Sequence, residues 1–237
     1  MVKHDSRPLG ILNLERGATP PPPRPGSILH PSTFDFPIIS ETVTGAWADV
    51  AMRGEPSLEP ATIAAAQRLA ERGAVAISSN CASFIRHQNV VAVSVNVPVA
   101  TSSLLLLPAL LSQLPSTAKI AVLSADSRNS SERVHRIVDV SQWSRLVIGG
   151  IEGGQLYNNE MKRPPAYTET ADIEADVAGC VSRLVAANPN IAAFLLECTA
   201  FPPISPAIRR MTSRPVYDIA GLCRMMMESV AHNVAHI

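Results

Sequence analysis

The chain has 237 residues, enough for one large domain or two small lobes with an ample core. Lys plus Arg and Asp plus Glu both number 20, and no basic run occurs, so there is no electrostatic footprint for nucleic acid. Hydrophobic residues make up 46% and aromatics only 4%, an aliphatic composition suited to layers of helix on sheet.

No charged segment followed by an apolar core and cleavage site opens the chain, so no signal peptide is expected. The longest apolar stretch, Leu104–Leu111, is too short to span a bilayer and contains Pro108, so no membrane partner is expected. The four cysteines form no CxxC pair and no disulfide framework. Free thiols in a reducing, cytoplasmic compartment follow.

In chain order, Gly10–Leu14 is a short first strand. Residues 18–31 hold six prolines and form neither helix nor central strand. This segment is a surface loop or a cap over a ligand crevice. Thr33–Ile39 alternates as an edge strand would. A helix runs from Pro60 to Arg72, closed by Gly73, and leads into strand Ala74–Ser79. Strand Val93–Val99 and helix Ser102–Gln113, kinked at Pro108, make a second unit.

Lys119–Ser124 restarts the alternation, followed by a helix near Ser131–Val140 and a strand at Arg145–Gly149. Thr168–Ala187 is the longest helix, and Ile191–Leu196 the strand after it. A helix after Pro203, strand Pro215–Tyr217 and helix Ala220–Val234 complete the chain. Strands alternating with helices of this length imply right-handed βαβ units and parallel sheets. The fold class is α/β, and the two halves share one order of elements, as an internal duplication would.

Two cysteines stand in similar frames. Ala74–Cys81 and Ile191–Thr199 are each an apolar run ending in a polar turn with a thiol. In open α/β sheets the ligand crevice lies outside the carboxyl ends of the strands. Cys81 and Cys198 thus point to one site between two lobes. Hydroxyls, an Asn amide and backbone N–H groups beside them suit a carboxylate or an enolate oxygen. Two facing thiols suit proton exchange at a carbon, one removing a proton as the other donates. One thiol alone suits attack on an activated double bond or reprotonation after decarboxylation.

Cys180 and Cys223, set among apolar neighbours at helical spacing, read as core residues. No His lies at ligand spacing near either site cysteine, so a metal centre is not expected. Gly149–Gly154 lacks both nucleotide-binding glycine patterns and reads as a flexible loop near the lobe interface. Arg16, Arg24 and Arg53 read as surface cations or as partners for a second substrate carboxylate. His30 and His87 are of the residue type that assists proton transfer, but lack a partner motif.

The stretches Ile77–Ser83, Val97–Ser103, Lys119–Ser127 and Leu195–Thr199 resemble the aspartate/glutamate/hydantoin racemase superfamily. The resemblance implies two pseudo-symmetric lobes: residues 1–104 plus 206–237, and residues 105–205, with the active site between them. It implies Cys81 and Cys198 as an acid–base pair, and Ser79, Asn80, Thr101, Ser102, Ser127 and Thr199 as substrate-binding. No cofactor is implied; the expected partner is a small carboxylate, and a homodimer or higher homo-oligomer fits related enzymes.

The leading expectation is a cofactor-independent racemase or epimerase of a small carboxylate, such as an amino acid or a hydantoin. A one-thiol decarboxylase or cis–trans isomerase stays open, as does a non-catalytic carboxylate-binding protein. In glutamate racemases the first cysteine precedes the Asn, whereas here Ser79 precedes Asn80 and Cys81 follows it.

Overall fold

The computed structural model describes residues 7–231. It contains two four-stranded, fully parallel sheets with helices on both faces of each. The first sheet comprises β1 (Leu9–Asn13), β2 (Ile38–Thr42), β3 (Ala76–Ser79) and β4 (Val99–Ala100), in the order β2-β1-β3-β4. The second comprises β5 (Lys119–Ser124), β6 (Leu146–Gly150), β7 (Ile191–Leu196) and β8 (Val216–Tyr217), in the order β6-β5-β7-β8. The two orders are the same pattern repeated, as the duplication expected from the sequence requires.

The helices are α1 (Ala48–Arg53), α2 (Glu59–Glu71), α3 (Gln88–Ser94), α4 (Leu107–Gln113), α5 (Ser127–His135), α6 (Gln155–Glu160), α7 (Thr170–Ala187), α8 (Ser205–Thr212) and α9 (Ile219–Val230). Alternate residues of each strand feed opposite layers, as strand geometry demands. Leu12 and Ile77 pack toward α2, while Leu9, Ile11 and Ala76 meet Ile219, Leu222 and Cys223 of α9. In the second sheet Ile120, Val122 and Leu195 meet α4 and α5, and Leu123, Phe194 and Leu196 meet α7. Ile173, Val177, Cys180 and Val181 form the buried stripe of α7, so Cys180 is a core residue, and Cys223 is another.

Several boundaries differ from the sequence reading, each for a physical reason. The alternation in Thr33–Ile39 is not a strand: Phe34 and Phe36 stack at 4.7 Å, and β2 begins only at Ile38. Of the β-branched run Val93–Val99, Val93 and Ser94 end α3, with Val93 86% exposed, and only Val99 is in a strand. Pro98 has no N–H to donate; its carbonyl accepts from the Ile77 N–H at 2.9 Å, and β4 itself is only Val99–Ala100. Pro108 does not kink a helix; it sits in the first turn of α4, after a short 3₁₀ segment at Ser103–Leu106. α5 starts at Ser127 rather than Ser131, because Asp126 caps it by accepting from the Arg128 N–H at 3.0 Å.

Gly149 and Gly150 finish β6 rather than forming a loop, and only Gly153, at φ 81°, has a turn conformation that favours glycine. The expected last helix, Ala220–Val234, is α9 up to Val230; residues 232–234 lie outside the described residues. Residues 206–231 do not act as one block with the first lobe. β8 pairs with β7 in the second sheet, and the chain returns to the first sheet only at α9.

Candidate active site

The carboxyl ends of the two central strand pairs converge on one cavity of about 210 Å³. Asn13 after β1, Asn80 and Cys81 after β3, Ser124 at the end of β5, and Glu197 and Cys198 after β7 all border it. The two halves repeat the same backbone bond at the turn. The Asn80 N–H donates to the Leu12 carbonyl at 2.9 Å, and the Glu197 N–H donates to the Leu123 carbonyl at 2.8 Å. The Asn80 amide donates to the Asn13 side chain, and the Ser124 hydroxyl donates to the Glu197 carboxylate at 2.9 Å. A neutral pair in the first lobe thus matches a charged position in the second.

Glu197 is neutralised from α5. Arg133 Nε donates to Glu197 Oε1 at 2.7 Å, with both side chains about 97% or more buried. Arg133 Nη2 donates to Ser130 at 2.9 Å and to Ser124 at 3.3 Å. Burial opposes charge on Arg133, but Glu197, Cys81 and Asp126 outweigh it and hold its pKa above the ordinary value.

Both site thiols are part-buried and free. Burial pushes Cys81 above the ordinary thiol range; hydrogen bonds from Ser83 and the charge of Arg133 oppose it, and Glu197 adds to it. Burial also pushes Cys198 up, opposed by the Ala200 backbone and reinforced by Glu197, Cys81 and Glu160. Both thiols are therefore protonated near neutral pH, and a neighbouring cation favours the thiolate.

Of the eight residues singled out from the sequence, Cys81, Cys198, Asn80 and Thr199 border the cavity. The Thr199 hydroxyl donates to the Asn80 carbonyl, tying the second cysteine loop to the first. The other four stand behind the wall. Ser79 Oγ lies 2.6 Å from the Thr101 carbonyl and 2.8 Å from that of Cys81. Thr101 donates twice to Gln88, at 2.8 and 2.9 Å. Ser102 caps a 3₁₀ turn by accepting from Leu104, and Ser127 donates to Glu152.

The proline-rich segment covers the cavity: Pro20–Pro23, Arg24, Ile28 and Leu29 form one wall. Arg16 makes a fork to Glu160 at 2.9 and 3.2 Å, and Arg24 donates to the Thr168 carbonyl at 2.5 Å while lying over Tyr167. Arg53 is a surface cation paired with Asp49 and Glu55. His87 is buried outside the cavity lining, where desolvation pushes its pKa down. Among the described residues no group of His, Cys, Asp and Glu is arranged to hold a metal, and no helix is long and apolar enough to cross a membrane.

Sequence reasoning missed Arg133, Glu160 and Tyr157. Arg133 lies on a polar helix, and nothing in its neighbourhood marks it. Glu160 and Tyr157 lie on α6, a six-residue helix with no apolar period, whose first turn is held by Asp176 of α7.

No protein-family model matches the chain. It is 30% identical, over 92% of its length, to the dimethylsulfoniopropionate lyase of Durusdinium sp. clade D. The chain belongs to the dimethylsulfoniopropionate lyase family. It spans 72% of that relative's length, and 61% of that of dimethylsulfoniopropionate lyase 6 of Emiliania huxleyi, to which it is 27% identical. Its fold is that of solved decarboxylase and racemase structures. Unliganded arylmalonate decarboxylase matches with a TM-score of 0.57 at 18% identity, covering 95% of this chain and 96% of that one. Picrophilus torridus aspartate racemase matches at 0.56 and 12%, covering 94% of each chain. Francisella tularensis glutamate racemase, in complex with D-glutamate, matches at 0.55 and 14%, covering 95% of this chain and 81% of its own. Identities this low speak for the fold alone.

Proposed function

We propose that the chain is a lyase that cleaves a small β-sulfonium carboxylate, dimethylsulfoniopropionate being the first candidate, with a cavity thiolate as base. The expected racemase gives way here to a lyase because the curated relatives bear that name. The observation that carries the reading is the meeting of Cys81 and Cys198 at the ends of β3 and β7 in one covered cavity. An apolar wall of prolines with Met52, Tyr157 and Met161 suits a methyl-bearing group, and Glu160 and Asp126 border the same space.

In the reaction a thiolate takes the proton from the carbon next to the carboxylate. The electron pair forms the carbon–carbon double bond, the carbon–sulfur bond breaks, and dimethyl sulfide leaves with that bonding pair. Acrylate remains, and the proton rests on the thiol until it passes to solvent. The raised thiol values make the base strong once formed, and burial keeps water from competing for it.

The test is incubation of dimethylsulfoniopropionate with the protein in D₂O, following dimethyl sulfide in the headspace and acrylate by proton NMR. Release of both is expected, falling by roughly 10²-fold or more when serine replaces the cysteine that acts as base. Full activity in both Cys81→Ser and Cys198→Ser would exclude thiol catalysis. Deuterium entering the α-position of amino acids, with no sulfide released, would restore the racemase reading, which the pairing of two thiols in one cavity favours.

A further inference from the structure

Three arginines border the cavity, and two have their partners. Arg16 is engaged by Glu160 and Arg24 by Thr168 and Tyr167. Arg133 is different. Its Nε and Nη2 are fixed by Glu197, Ser124 and Ser130, so the guanidinium cannot turn freely. Its Nη1 is buried and has no acceptor among the described residues. An ionised donor left unmatched in a low-dielectric wall is costly, and an anion is the acceptor that relieves the cost best.

We propose that Arg133 Nη1 donates to the carboxylate of the substrate. Arg133 lines the cavity shared with both thiols, on α5 of the second lobe, while Asn80 and Cys81 come from the first. A carboxylate docked there lies within the field that couples Arg133 to Cys81. Loss of the neighbouring proton moves charge onto the carboxylate oxygens, so a fixed guanidinium stabilises the transition state more than the bound substrate. Glu197 is then a positioning residue: it holds Arg133 in place through Nε and leaves Nη1 for the ligand. Arg133 thus selects carboxylates over their neutral isosteres.

The proposal rests on reading the cavity as a carboxylate site, and its test is independent of turnover. Propionate and propionamide are titrated calorimetrically into the full chain, and into Arg133→Lys and Arg133→Met/Glu197→Gln. The double variant avoids stranding the Glu197 charge, and circular dichroism verifies its fold. The wild-type chain is expected to bind propionate and reject propionamide. The double variant loses at least about tenfold in propionate affinity, and lysine recovers part of it. A folded double variant that keeps both affinity and selectivity overturns the anchor, as does a wild-type chain indifferent to propionate. Selective propionate binding without any sulfide release leaves the anchor standing and removes the lyase reading.

Discussion

Thr199 shows how a residue chosen for substrate chemistry also acts in the fold. It borders the cavity, yet its hydroxyl proton is already given to the Asn80 carbonyl of the other cysteine loop. The bond holds the two loops in register, so Thr199→Val strands a buried acceptor. The expected loss is about 1–3 kcal/mol of stability, with Thr199→Ser near wild type. Thermal denaturation checks this, and a valine variant as stable as the serine one would rule out the tie. The same logic explains which site residues were legible. Cys81, Asn80, Cys198 and Thr199 sit directly at strand ends, where position in sequence dictates position in the crevice. Ser79 and Thr101 also stand at strand ends, but the hydroxyls of Ser79, Thr101, Ser102 and Ser127 are consumed by neighbouring backbone or by Gln88 and Glu152. Composition cannot distinguish a hydroxyl that faces a ligand from one that closes a turn.

At the scale of elements, α5 links stability to the site. Asp126 caps its first turn and also borders the cavity, and Arg133 lies near its other end. Asp126→Ala is expected to cost about 1 kcal/mol, and Asp126→Asn much less, because Asn caps equally well. Denaturant midpoints measure it; equal loss in both variants would mean that the charge, not the cap, stabilises α5. The long buried strands and α7 could be read from periodicity because their apolar pattern is continuous. β2, β4 and α6 could not. Each is short, and each is held by a partner distant in sequence: β2 by β1, β4 by β3, and α6 by Asp176. Aromatic stacking at Phe34 and Phe36 imitated a strand period where none exists.

For the whole molecule, burial of thiols makes stability depend on alkaline pH. Burial pushes Cys81, Cys180, Cys198 and Cys223 all upward, Cys223 to about 12. Below about pH 8.5 the thiols are protonated in folded and unfolded chains alike. Above it the unfolded chain sheds protons first, so stability falls with rising pH until the folded thiols ionise. Cys223→Ala is expected to flatten the fall of melting temperature with pH on the alkaline side. An unchanged slope would show that Cys223 does not contribute to it. The sequence by itself determined the α/β class, the duplicated order and the two cysteine turns, because strand length, helix period and the ends of strands are local properties. Only the tertiary structure decided that the proline-rich segment covers the cavity, that β8 joins the second sheet, and that Arg133 borders the cavity with the thiols. Those facts depend on packing between segments distant in sequence, where side-chain fit and charge compensation, rather than local pattern, choose the partner.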